Sequence, residues 1–259
     1  METGIRTLTF NDLNTLTTVK QEQYGALGAT ADGRRFRYVG FGGTTTVAPG
    51  LLLTAAPVVA NYQGLAVTAV NTGGQTAANL LAGSTTLVVT NGATAIVADQ
   101  FAEGYLEVLQ TSGANNGPVV YRVRGNTAAA NAATFTVFLE SREPLRNATT
   151  LVAGTDTVNL SQSDYSNVIT SATANVPVGL TVVQVVNTAS VSNWGWVQIG
   201  GHALVQEDAT AVTVGGGIAQ STTTAGKVTA STASVNPVIG VAKVASAGTT
   251  TIPANLNLT

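Results

Sequence analysis

From residue 84 onward the chain is divided into short runs in which apolar and polar residues alternate, each fenced by Gly, Asn, Ser or Pro. Period-two alternation puts one side of an extended strand in a core and the other in water; a helix, repeating every 3.6 residues, cannot satisfy it. STTLVVT (84–90), EGYLEVLQ (103–110), PVVYRVRG (118–125) and ATFTVFLE (133–140) make a first group. GLTVVQVVN (179–187), WGWVQIGGHALV (194–205), ATAVTVGGGI (209–218), AGKVTAS (225–231), PVIGVAKV (237–244) and TTTIPANLNL (249–258) make a second. A cadence of roughly one strand per 8–12 residues is that of small sandwiches and barrels. In PVVYRVRG, Arg122 and Arg124 share one face while Tyr121 and Val123 share the other, the half-buried pattern of an antiparallel sheet. A loop around 113–117 would turn the second run back on the third as a hairpin.

Composition agrees. Thr and Val suit a pleated surface, and the 28 glycines supply the positive φ of tight turns. The expected fold is all-β, with few helices: an extended N-terminal arm followed by two small antiparallel β-sandwich or barrel domains. Residues 1–50 read as the arm. It carries a short helix within NDLNTLTTVKQEQYG (11–25), capped by Asn11 or Asp12 and stopped by Gly25, and ends in the strand RRFRYVG. Residues 51–146 read as a β domain and 147–259 as a C-terminal β-barrel or sandwich. SREPLRNATTLVAG (141–154) is the expected linker, with a boundary near Pro144.

Several classes are disfavoured. The most apolar stretch, 47–67, is broken by Pro49, Gly50, Pro57, Asn61 and Gln63, whereas a spanning helix needs about 20 nearly uninterrupted apolar residues; no membrane partner is expected. The opening METGIRTLTFNDL lacks a basic region followed by an apolar one, so no signal peptide is expected. With no cysteine, disulfides and thiolate zinc sites are impossible. A net charge of −2 gives no basic surplus for nucleic acid. His202 is the only histidine and has no motif around it. The carboxylates Glu103/Glu107, Glu140/Glu143 and Glu207/Asp208 are close only in sequence, and QEDA (206–209) reads as a hairpin turn. The glycines of GFGGTTT and TVGGGIA lack the tail of a phosphate loop. No catalytic residue, metal or cofactor is expected, and the chain reads as non-enzymatic.

Two clusters stand out. Only 9% of the chain is charged, yet Arg34, Arg35 and Arg37 fall within four residues beside Phe36 and Tyr38, and the next charge is Asp99. Alternation sets Arg35, Arg37 and Val39 on one face, Arg34, Phe36 and Tyr38 on the other. Either this is an exposed strand with solvated charges or it is a docking patch. Arg binds carboxylates in a bidentate manner and stacks on rings, and aromatic neighbours supply anchors. The second cluster is Trp194 and Trp196, on one strand face, suited to a core, an oligomer seam or stacking on sugars.

Several stretches resemble head proteins of tailed bacteriophages. YGALGATADGRRFRYVGFGGTTTVAPGLLL (24–53), DQFAEGYLEVLQTSGANNGPVVYRVRG (99–125) and NWGWVQIGGHALV (193–205) resemble segments of decoration (cement) or head-fibre-like proteins. The C-terminal stretch AGKVTASTASVNPVIGVAKVASAGTTTIPANLNL resembles the small β-barrel ends of capsid decoration proteins. The resemblance implies a structural protein on the capsid surface of the virion, bound to the major capsid protein, often trimeric, with the arginine patch docking it to the shell. Residues 51–146 would be an added domain. A receptor- or carbohydrate-binding tail or fibre component, and a self-assembling shell subunit, are the alternatives.

Overall fold

A computed structural model describes residues 4–43, 46–67, 83–109, 118–145, 156–170, 175–187, 193–231, 238–248 and 250–258. Among them the order is β1 (Arg6–Thr7), α1 (Phe10–Asn14), β2 (Leu27–Ala29), β3 (Arg35–Phe41), β4 (Thr46–Val47), β5 (Leu52–Thr54), β6 (Leu65–Ala66) and β7 (Thr86–Thr90). It continues with β8 (Tyr105–Leu109), β9 (Pro118–Asn126), β10 (Thr134–Leu139), β11 (Thr157–Ser161), β12 (Pro177–Thr181) and β13 (Val185–Val186). The last strands are β14 (Asn193–Gln206), β15 (Gly217–Gln220), β16 (Val228–Ala230), β17 (Gly240–Ala242) and β18 (Thr251–Asn257). The protein is nearly all β, as the alternation requires. The hairpin loop expected at 113–117 lies outside the described residues.

The chain divides differently from the sequence expectation. One compact unit is Val58–Ser163; the other combines Met1–Pro57 with Asp164–Thr259. In the first, β6, β11, β8, β9, β10 and β7 pair in that order, and the Val67–Val89 bridge joins the two ends, closing a barrel. Leu87, Val89, Leu106, Val123, Val137, Leu139, Val158 and Leu160 fill it. Closure removes the unpaired edges of an open sheet. Pro144 lies inside this unit and is not a boundary. Leu145 is buried in the same core, and its backbone pairs with Gly83 and Ser84. The rest of the expected linker, 146–154, lies outside the described residues.

In the second unit β14 is the spine. One edge pairs with β3; the other pairs first with β12 and then with β18. From β18 the order runs through β17 and β15 to β16, and the Glu207–Val228 bridge brings the end of β14 back to β16. This closes the expected C-terminal barrel around Ile199, Val205, Ile218, Val228, Ile239, Ile252 and Leu256. The run 209–218 is not one strand. The N–H of Gly216 donates to the Thr213 carbonyl (3.0 Å) in a turn, with Gly215 at φ 73°, and extended structure resumes at β15.

The N-terminal segment is no arm. β3 is an interior strand, flanked by β2 and β14, because its alternation gives it an apolar side on each face: Phe36 and Tyr38 on one, Val39 and Phe41 on the other. The helix is shorter than the expected 11–25. Thr9, rather than Asn11 or Asp12, caps it: Asp12 N–H donates to Thr9 Oγ1 (3.3 Å), and Thr9 N–H donates to Asp12 Oδ2 (2.8 Å). This reciprocal box satisfies two backbone donors. The helix stops at Thr15 because the β-branched threonines that follow suit extended chain, and Thr17 forms a bridge with Trp194.

Candidate functional site: an exposed sheet face and an aromatic cleft

The three arginines separate. Arg34 sits in the turn before β3, where its Nε donates to Asp32 Oδ2 (2.9 Å) and its guanidinium lies 5.8 Å from the Phe36 ring centre. The Thr30 hydroxyl, then the Arg34 backbone and guanidinium, hold the Asp32 carboxyl below the usual range despite some desolvation. Arg37 is half-buried. Its Nη1 donates to the Gly25 carbonyl (2.9 Å) and its guanidinium lies 5.1 Å from the Tyr165 ring centre, tying two loops to β3. Arg35 is exposed, and its Nη2 makes a 3.3 Å hydrogen bond to Asn257 Oδ1.

Phe36 is fully buried and Tyr38 is 2% exposed, so neither ring is an interface anchor. Both belong to the core with Leu8, Leu13 and Trp196. The expected five-residue docking patch therefore reduces to Arg35, with Arg34 engaged at the turn.

Arg35 borders a face the sequence did not single out. Its side chain lies over Gly200, which pairs with Asn257. The next row across the sheet is His202, Asn255, Val241 and Gly217, and Leu204 pairs with Pro253 in the row beyond. His202 and Asn255 are exposed, Leu204 is 59% exposed and Val241 42%; Val238, also exposed, lies against Gly217. None of these positions is acidic. His202 is thus a strand histidine on an open face.

The tryptophans do share a strand face, and Tyr38 pairs with Trp196 on the neighbouring strand. Trp196 is buried in its own unit, its ring edge-on to Tyr38 at 5.3 Å and 69°, so it needs no second subunit to cover it. Trp194 is half-buried and donates from Nε1 to the Tyr24 hydroxyl (3.2 Å). Above them the N-terminal segment forms the wall of a cleft of about 220 Å³ that includes Arg6, Asn11, Asp12 and Gln21. Arg6 pairs with Asp12 (2.8 Å) and Glu22 and lies 5.9 Å from the Trp196 ring centre. The Gln21 N–H donates to the Tyr38 hydroxyl (2.9 Å). The Thr9 hydroxyl and backbone N–H, aided by Arg6, hold the Asp12 carboxyl below its usual range against a modest desolvation. Sequence reasoning missed these polar lining residues. The only local signal was the Thr-x-x-Asp capping pattern of residues 9–12.

QEDA is not a hairpin turn: Gln206 ends β14 and Glu207 bridges to Val228. Glu207 is fully buried at the barrel seam, where its Oε1 accepts from the Ser246 and Thr250 hydroxyls, and Oε2 has no hydrogen-bond partner among the described residues. Burial pushes the Asp208 carboxyl up, but hydrogen bonds from Ser221, Thr210 and Thr229 outweigh it and leave the group below its usual range. Among the described residues no group of three or more His, Asp or Glu side chains could hold a metal ion. No helix among them is long and apolar enough to cross a membrane.

Compared with protein-family models, curated proteins and solved structures, the chain matches none.

Proposed function

We propose that this protein is a non-enzymatic structural component of a phage virion that binds the major capsid protein on the outer surface of the shell and reinforces it, acting as a symmetric homo-oligomer, a trimer in the expected case. The observation that supports this reading is the open face across β14, β18 and β17. Apolar side chains at Leu204, Val238 and Val241 stand among Arg35, His202, Asn255 and Asn257. Apolar anchors edged by hydrogen-bonding groups are the make-up of a protein interface. With a cation and no acid, the face suits a neutral or acidic partner surface. A partly buried arginine bond is worth roughly 1.5–3 kcal/mol, and an oligomer would multiply it through effective concentration.

The test mixes purified protein with bare capsid shells and counts bound copies. Hundreds of copies per particle are expected, with occupancy falling for Leu204→Glu and Arg35→Glu while each variant stays folded. A few copies per virion would instead identify a tail or fibre component. Closed particles formed without any partner would identify a shell subunit. Unchanged occupancy in both variants would remove this face from the interface.

A further inference from the structure

We infer that the cleft between the N-terminal segment and β14 is a binding site for a neutral saccharide, one pyranose ring of which rests against Trp194. Four observations converge. First, the half-buried Trp194 indole lines one small depression, backed by the buried Trp196 and Tyr38 rings. The C–H faces of a sugar ring are apolar and stack on such rings, while its hydroxyls need polar groups at the edge. Second, the edge is made of short or planar polar side chains: Asn11 and Gln21 carry both donors and acceptors, and Thr15 and Thr17 add hydroxyls. Third, the charged residues of the lining are one cation and one anion, Arg6 and Asp12, paired at 2.8 Å, and Glu22 holds Arg6 from outside the lining, so no unpaired cation faces the cleft and the lining suits an uncharged polyol. Fourth, the walls are fixed before any ligand arrives. Arg6 is held by Asp12, Tyr38 by the Gln21 backbone, Trp194 by Tyr24, and Thr17 is bonded to Trp194 through both backbone groups (2.9 and 3.0 Å). Fixed polar groups around an apolar floor lower the ordering cost of binding. A volume of about 220 Å³ holds a single sugar ring and leaves the rest of an oligosaccharide outside.

The site is separate from the Arg35 face and does not depend on the capsid reading. The experiment titrates the full-length protein with neutral hexoses, N-acetylhexosamines, uronic acids, choline and neutral oligosaccharides, reading tryptophan fluorescence and saturation-transfer NMR. A neutral sugar is expected to bind and to perturb the fluorescence; an oligosaccharide binding more tightly than its free end sugar would mark a polymer as the source, and equal affinity the free sugar. Trp194→Ala should weaken binding roughly tenfold or more, with Trp194→Phe retaining part of it. Gln21→Ala, at an exposed position, provides the same test should Trp194→Ala fail to fold. None of the folded variants should change shell occupancy, which keeps the two readings distinguishable. No neutral saccharide binding tighter than about 10 mM, binding by choline or uronic acids alone, or affinity unaffected by Trp194→Phe and Gln21→Ala would each overturn the assignment.

Discussion

A Cβ at Gly200 would lie 2.7 Å from the Nε of Arg35, so the glycine is what allows that side chain to lie along the sheet. Two positions on, Arg37 is tied to the Gly25 carbonyl and Tyr165. The two residues share a charge and a strand but not an environment. Arg37→Ala is expected to cost about 1–2 kcal/mol, because it removes a charged hydrogen bond to a backbone carbonyl and a ring contact, each partly screened. Arg35→Ala should stay within about 0.5 kcal/mol, as for exposed positions without such partners. Urea unfolding of both variants checks this, and equal midpoints would refute the division of roles. Asp12 gives a second expectation. Its carboxylate accepts from the Thr9 hydroxyl and backbone and pairs with Arg6, so its folded pKa lies below the ordinary value. The stability it contributes is present above the unfolded pKa, near 4, and is lost as pH falls through the depressed folded value. Asp12→Asn should therefore flatten the pH dependence of stability below about pH 4, measured by denaturation across that range. The carboxyl keeps access to solvent, and screening there makes the effect small.

At the scale of elements, the strands with long alternating runs were legible: β7, β8, β10 and β18 fall within the expected segments, β9 overruns its segment by Asn126, and β14 overruns its segment by Asn193 and Gln206. What remained hidden had a physical reason in each case. β2 and β5 have three residues each, too few to show a period, and all three residues of β5 are buried. β11 alternates well, with Val158 and Leu160 inward, but it follows a charged stretch that looked like a linker. Alternation correctly put Phe36 and Tyr38 on one face of β3. It could not say that both faces were covered, because the covering side chains, Leu8 and Leu13 on one face and Val168 and Val185 on the other, come from other segments of the chain. The cleft was illegible for the same reason: Asn11, Asp12 and Gln21 meet Trp194 only through the tertiary fold. The barrel of 58–163 rests on a small set of inward side chains, so removing one should be felt. Leu160 is fully buried among them, and Leu160→Ala is expected to cost about 2–5 kcal/mol. Hydrogen exchange should localise the loss to β6–β11; a loss spread equally over β14–β18 would contradict independent cores.

The whole molecule is an insertion of one barrel into another unit. The chain leaves the second unit after β5 and returns at Asp164, and the two points are already joined there: Thr54 and Ile169 form an antiparallel bridge, and the Ala55 N–H donates to the Val176 carbonyl (2.9 Å). The unit formed by 1–57 and 164–259 has its own cores, filled by side chains from both of its segments. Among the described residues, none of the side chains in those cores comes from 58–163. Replacing 58–163 with a short Gly/Ser linker should consequently leave that unit folded. The shorter connection also lowers the entropy of closing the chain, by about 0.6 kcal/mol for each halving of loop length. Intact protein is expected to unfold in two calorimetric transitions, since separate cores break all-or-none behaviour. The shortened protein should lose one and keep the other within a few degrees. Its tryptophan fluorescence should match the parent, because Trp194 and Trp196 both lie in the retained unit. Shell occupancy should also persist, because the Arg35 face is retained whole. A single transition in the intact chain, together with an unfolded shortened protein, would mean that the second unit depends on the inserted barrel for its stability.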